Sequence, residues 1–391
     1  MESMNQKVTN DHRLLTEITL HNLLSFGPDT PPLELQNLNI LIGPNASGKS
    51  NLIEAISLMR ATPNSPSSNS DFRAVIRRGG GVREWIWKGG KQTTASIATS
   101  WKYAGRLEHR IAFRDNQGFE LDSETIRGYT LSSESSDGVK PKGKVLPKKL
   151  RKAGSPTIGN SILNELRDPV RYPQHSFLAE SYEKIRIYRD WSFGRRVMIR
   201  EPQSADMRND RLEEDFSNLG LFLSRLSKTP KVKEAILEKL RDLYQGVTDF
   251  QIFVEGGSVQ VFFTESDFTV PATRLSDGTL RYLCLLAILC DPTPPPLICI
   301  EEPELGLHPD IIPKLADLLV EAAERTQLIV TTHSDILIDA MSEHPEAVVV
   351  CEKHDGKTEM NRLNKKDLKE WLNKYSLGDL WTRGHIGGNR W

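Results

Sequence analysis

The chain has 391 residues, 38% apolar and 26% charged, with a formal net charge of -1. That length admits two or three average domains, and the near-neutral balance gives no global electrostatic argument for or against nucleic acid, so any basic surface must be local. The longest apolar run falls well short of the ~20 residues a membrane span needs. The opening MESMNQKVTNDHR lacks the hydrophobic region of a secretory signal. Cys284, Cys290, Cys299 and Cys351 show no C-x-x-C spacing. A cytoplasmic protein with buried, reduced thiols is expected.

After a polar tail (1–13), LLTEITLHNLLSFG (14–27) begins like a strand. LELQNLNILIGP (33–44) ends in a near-continuous apolar strand, followed by a Gly-rich loop and then SNLIEAISLMRA, apolar at helical spacing. Strand, Gly-rich loop and helix in that order open a nucleotide-binding α/β domain. IRRGGGVREWIWKGG (76–90) sets Arg77, Arg78 and Arg83 near Trp85 and Trp87, whose indoles are expected in the core rather than as a stacking platform for bases. TTASIATSWKYA and RLEHRIAFRD alternate like antiparallel strands.

Residues 126–160 read as a polar, basic loop whose VKPKGKVLPKKLRK could grip a nucleic-acid backbone but not read bases. Residues 161–250 read as a helical, lid-like insertion, with LGLFLSRL and AILEKLRDLY clearest. From 251, a strand pair around Gly256 and Gly257 leads into alternating helix and strand up to 351: RYLCLLAILC, PLICIEEPE, IIPKLADLLVEAAERT, QLIVTTHS. The expected fold is α/β, a nucleotide-binding domain whose halves (14–125 and 251–351) flank an inserted helical/β lid region. A C-terminal extension (352–391) ends in GHIGGNRW, where Trp381 and Trp391 suggest docking.

GPNASGKS (43–50) fits G-x-x-x-x-G-K-[ST] in full, with a strand before it and a helix after it. Such a loop turns successive N–H groups onto phosphates at a helix N-terminus. The nucleotide-binding stretch is therefore Gly43, Pro44, Asn45, Ala46, Ser47, Gly48, Lys49, Ser50 and Asn51. Lys49 supplies charge to the β- and γ-phosphates, and Ser50 ligates Mg²⁺. The strand PLICI ends in Glu301 and Glu302, where an apolar strand has no structural use for paired carboxylates. Glu301 is expected to hold Mg²⁺ and Glu302 to orient and deprotonate the attacking water. His333, after the strand QLIV, is expected to hydrogen-bond the γ-phosphate. In RLSDGTLRYL (274–283), Ser276 is a sound helix cap followed by Asp277 and a bare Gly278, unusual in a first turn.

The order GPNASGKS, RLSDGT, ICIEEPE, TTHS resembles the ATP-binding-cassette (ABC-type) ATPases of the SMC, RecF and OLD group, over roughly 14–100 and 265–351. The resemblance implies two ATP molecules sandwiched between two copies. Ser276, Asp277 and Gly278 of one copy would then cover the γ-phosphate on the other's loop. PELGLHP resembles the segment that crosses such an interface, with His308 a contact. Implied are ATP and Mg²⁺ as ligands, an ATP-dependent homodimer or higher homo-oligomer, a separate effector protein and no membrane partner. Nucleic acid is admitted as a partner. The remainder resembles compact bacterial defence ATPases; the alternative is a RecF-like DNA-binding repair factor. The Gln that senses Mg²⁺ in such proteins stays open between Gln92, Gln174 and Gln203.

Overall fold

Apolar residues at alternate positions build the first sheet. Leu15–His21 buries Leu15, Ile18 and Leu20 and pairs antiparallel with Thr94–Lys102, Ile18 opposite Thr99. Arg106–Asp115 follows with Ile97 opposite Ile111, then Phe119–Ile126. The computed structural model describes residues 14–65, 70–103, 105–126, 129–132, 144–145, 161–191, 194 and 197–388. The chain divides into two compact units. One contains this sheet and comprises the described residues of Arg13–Ile185, Glu346–Leu368 and those from Trp381 on. The other comprises Arg186–Pro345 and Lys369–Leu380.

In the first unit, all five residues of Leu38–Ile42 are buried, and the strand pairs parallel with Val348–His354. Val348–His354 in turn forms an antiparallel pair with Lys357–Arg362. A near-continuous apolar run is what a parallel strand covered on both faces requires. Trp85 and Trp87 are buried; their indole N–H groups donate to Ile76 O (3.3 Å) and Gly356 O (3.2 Å), so they are packed core residues as expected. The tail packs on its own unit: Trp381 Nε1 donates to Gly388 O (3.0 Å) and Gly388 N to Glu352 Oε1 (3.0 Å). Residues 389–391, including Trp391, lie outside the described residues. So does most of the basic 126–160 segment, apart from the short strands Tyr129–Ser132 and Lys144–Val145.

A polar network sits inside the first sheet. The Glu124 carboxylate is fully buried and accepts from Ser161 Oγ (2.7 Å) and Ile162 N (2.7 Å), with His109 Nε2 at 2.9 Å. Tyr182 OH lies 3.0 Å from His109 Nδ1 and 2.8 Å from Thr99 Oγ1. His175, 1% exposed on the helix Pro173–Lys184, has its imidazole pushed down to about 4. Burial is the main cause; Glu124 pulls the other way and His109 adds to the depression. Between the ordinary histidine value and 4, the unfolded chain takes a proton that the folded chain refuses. Stability is therefore retained above pH 6.5 and lost as pH falls toward 4, by about 2 kcal/mol at pH 5. Urea unfolding of the native chain and His175→Gln should show their stability gap narrowing by that amount from pH 7 to pH 5. A gap independent of pH would refute the assignment.

In the second unit, Leu297–Glu301 lies between Gln327–Thr331 and Arg186–Tyr188, all parallel. The helices Asp277–Leu289 and Ile312–Ala322 belong to this unit, the former burying every residue from Leu280 to Leu289. Arg186–Tyr188 falls inside the stretch read as helical. Three residues carry no period, and burial on the sheet, not pattern, makes them a strand. The helices Leu219–Ser227 and Pro230–Arg241 follow in that stretch. A small antiparallel sheet joins Val247–Glu255, Ser258–Glu265 and Phe268–Pro271, with Gln203–Ser204 on its flank. All four cysteines are reduced thiols; Cys284, Cys299 and Cys351 are buried and Cys290 is half-buried. Burial pushes the Cys290 thiol up to about 11 and Cys351 to about 12, which makes both unreactive. Among the described residues no helix is long and apolar enough to cross a membrane.

Candidate nucleotide site

The phosphate loop takes its shape from two glycines. Gly43 has φ +146° and Gly48 φ +106°; a Cβ on Gly43 would fall 2.1 Å from Cys351 O, and one on Gly48 would fall 2.3 Å from Thr358 Oγ1. The helix Lys49–Arg60 then starts with no side-chain cap and no acidic residue in its first turn. Its N-terminal dipole therefore faces the loop without competition from a carboxylate in that turn. Lys49 is buried, and its ammonium donates to Gly43 O (2.7 Å) and Pro44 O (3.0 Å), so it curls back inside the loop. Ser47 Oγ is buried and lacks a hydrogen-bond partner among the described residues, while Asn45, Ala46 and Ser50 are exposed and Pro44 and Asn51 half-buried. An uncapped helix start, a buried cation and an orphaned hydroxyl fit the polyphosphate of ATP, and Ser50 beside them is exposed.

Two residues that sequence reasoning missed brace this loop. Thr358 Oγ1 donates to Ser47 O (2.9 Å) and lies 2.6 Å from Ser25 Oγ, and Asn51 Nδ2 donates to the same Ser25 hydroxyl (2.7 Å). Asn51, expected as a nucleotide contact, thus also anchors the helix to the loop containing Ser25.

The other candidate residues lie in the second unit. Glu302, directly after Leu297–Glu301, has φ +46°, a left-handed conformation that a glutamate rarely adopts. Its backbone N–H is held by Thr331 O (2.9 Å) and Thr331 Oγ1 (3.2 Å). The strained backbone puts Glu302 Oε1 3.6 Å from His333 Nε2, with both side chains about one-third exposed. Such strain persists only where surrounding contacts enforce it, and it concentrates at reactive sites. Glu304, not predicted, supplies one such contact: its buried carboxylate accepts from Thr332 Oγ1 (2.6 Å) and His333 N (2.9 Å), and burial raises its pKa. Glu301 carries an ion pair, Arg189 Nε to Oε1 at 3.5 Å.

Ser276 caps the helix Asp277–Leu289, accepting from Thr279 N (3.1 Å), and is exposed. A Cβ on Gly278 would meet Gly306 O at 2.9 Å, so packing within the chain itself requires a bare residue there. Asp277 pairs with Arg200, whose guanidinium also donates to Thr273 O and Leu275 O (both 2.8 Å). Arg200 therefore clamps the segment leading into the cap. No sequence pattern announced it. In PELGLHP, Leu305 is 48% exposed and His308 is exposed. Of the three candidate glutamines, Gln203 is buried and accepts from Gly220 N (2.7 Å) through its side chain, which makes it a structural contact.

A family model described as "AAA domain, putative AbiEii toxin, Type IV TA system" matches residues 38–339, more than half of the chain. The chain is 24% identical over 236 residues to the Old nuclease of Escherichia phage P2, covering 54% of this chain but 40% of the phage protein. Among solved structures it resembles an SMC head bound to the C-winged helix domain of ScpA: TM-score 0.58, 14% identity, 90% of this chain and 99% of that one. It also resembles an Smc head with an extended coiled coil, bound to the C-terminal domain of ScpA and derived from Pyrococcus furiosus: TM-score 0.54, 15% identity, 92% and 99% covered. Smc head from Pyrococcus yayanosii gives TM-score 0.53 at 12% identity, with 92% and 99% covered. The chain belongs to the family of that AAA-domain description.

Proposed function

We propose that the chain is an ATP-hydrolysing switch that closes as an ATP-sandwich homodimer and controls a separate effector protein in a bacterial defence against phage. The observation that carries the hydrolytic reading is the strained Glu302 backbone beside His333. Glu302 acts as the base that orients and deprotonates water. His333 hydrogen-bonds the γ-phosphate, Lys49 neutralises the β- and γ-oxygens, and Gly43 to Asn51 cradle the chain of phosphates. Ser50 and Glu301 are the residues that would hold Mg²⁺, which when bound would supply charge stabilisation to the phosphates. The exposed cap Ser276, with Asp277 and Gly278, receives the γ-phosphate of the partner copy, and exposed Leu305 and His308 meet that copy across the interface. ATP then serves as the bridging charge whose removal opens the dimer. The likeness to a phage protein named Old nuclease supports a phage-related role.

The test is solution mass. Glu302→Gln with Mg²⁺ and ATP is expected to double in mass relative to the nucleotide-free protein, and Ser276→Arg added to it should abolish the shift. A nucleotide-independent mass of one copy throughout would sink the sandwich.

A further inference from the structure

Trp191 joins two parts of the site that the motifs treat separately. Its indole Nε1 donates to the backbone oxygen of Glu301 at 2.6 Å. The Arg281 guanidinium, one turn into the helix capped by Ser276, lies over the same indole with Cζ 5.1 Å from the ring centroid, and Nη2 donates to Trp191 O at 3.1 Å. Arg281 is only 7% exposed, unusual for an arginine, and burial lowers its pKa. Phe216 also stacks on the indole, at 5.4 Å and 26°, and itself has φ +60°. Two residues before Trp191, Arg189 pairs with the Glu301 carboxylate. One short segment therefore grips Glu301 by backbone and side chain while it is itself pinned to the helix Asp277–Leu289 that bears Ser276, Asp277 and Gly278, the signature helix.

We propose that Trp191 is a positioning residue that couples the signature helix, through Arg281, to the metal-side carboxylate of Glu301. A cation over an aromatic face and a hydrogen bond to the adjoining carbonyl make a stiff connection. A displacement of the Ser276 helix by a partner's phosphate is then transmitted to Glu301 of the same chain. In a two-site sandwich this makes each ATP site sensitive to occupation of the other. Outer partners that orient a metal ligand commonly change metal affinity 10–100-fold when removed. The proposal rests on the assignment of Glu301 as the Mg²⁺ ligand.

The experiment reads binding rather than turnover: Mg²⁺ titration of a fluorescent ATP analogue on the full chain, with metal-free nucleotide affinity and thermal midpoint measured alongside. Trp191→Phe keeps an aromatic ring beside Arg281 and Phe216 but removes the N–H donor to Glu301. It is expected to raise the Mg²⁺ midpoint about tenfold while leaving metal-free affinity and thermal midpoint unchanged. Arg281→Lys should move the midpoint the same way, and the double variant should be no worse than the more affected single one, as for residues acting in one chain. Glu301→Gln is the reference. If it moves the midpoint and Trp191→Phe does not, the coupling is wrong and the site reading stands. If Glu301→Gln leaves it unmoved, the metal assignment falls and the coupling falls with it. Additive effects of Trp191→Phe and Arg281→Lys would also overturn the link.

Discussion

Glu302→Gln is expected to lower kcat for ATP hydrolysis by roughly 10²–10⁴-fold, the range for removing a positioned general base, while ATP affinity changes less than about threefold. Gln keeps the length, the backbone contacts to Thr331 and a hydrogen-bonding tip toward His333. Only the capacity to take a proton is lost, so the effect belongs to the chemical step rather than to binding. The left-handed backbone supplies a second arm. Glycine has no penalty at φ +46°, so Glu302→Gly should relieve strain of order 1 kcal/mol and melt higher than the native chain, yet be as inactive as Glu302→Gln. A catalytic residue held in strain predicts that opposition between stability and activity; a solvent-facing turn residue does not. Retention of more than a tenth of native kcat by Glu302→Gln would remove it from the chemistry.

The parts of the site legible in the sequence are those defined by neighbours along the chain. GPNASGKS states its loop locally, because glycine spacing and a flanking strand and helix are all within a dozen residues. Glu301 and Glu302 stand out because carboxylates end an apolar strand, and Ser276 because a helix cap is a local device. The alternation in 94–115 likewise reads as antiparallel strands, which pair with Thr94 opposite Arg114 and Lys102 opposite Arg106. What stayed hidden acts across long sequence distances. Thr358 braces Ser47 from 311 positions away, Arg200 clamps Asp277 from 77, and Trp191 reaches Glu301 from 110. A lone Thr, Arg or Trp carries no period, so only the fold can nominate it. Gly278 makes the same point. A Cβ at that position would meet the backbone oxygen of Gly306, a residue outside its own helix that the local pattern does not mark.

Gly43→Ala is expected to weaken ATP binding at least 100-fold and to lower the thermal midpoint by several degrees. Two costs combine, and they can be separated. The first is backbone strain: φ +146° is disfavoured for alanine by about 1–3 kcal/mol. The second is a clash, because the new Cβ would sit 2.1 Å from the backbone oxygen of Cys351, which is itself fixed in the strand Val348–His354 paired with Leu38–Ile42. A flexible side chain could move aside; a carbonyl in a sheet cannot. The loop must therefore lift away from that strand, carrying the amides of Ser47 and Gly48 out of line with the phosphates. Gly118 is the matched control. It has φ +143°, and nothing lies within 4 Å of where its Cβ would be. Gly118→Ala should show the strain alone, a modest loss of stability with ATP affinity intact. If both alanine variants bind ATP equally, the close approach to Cys351 plays no part in shaping the loop, and its glycine is needed for backbone freedom only.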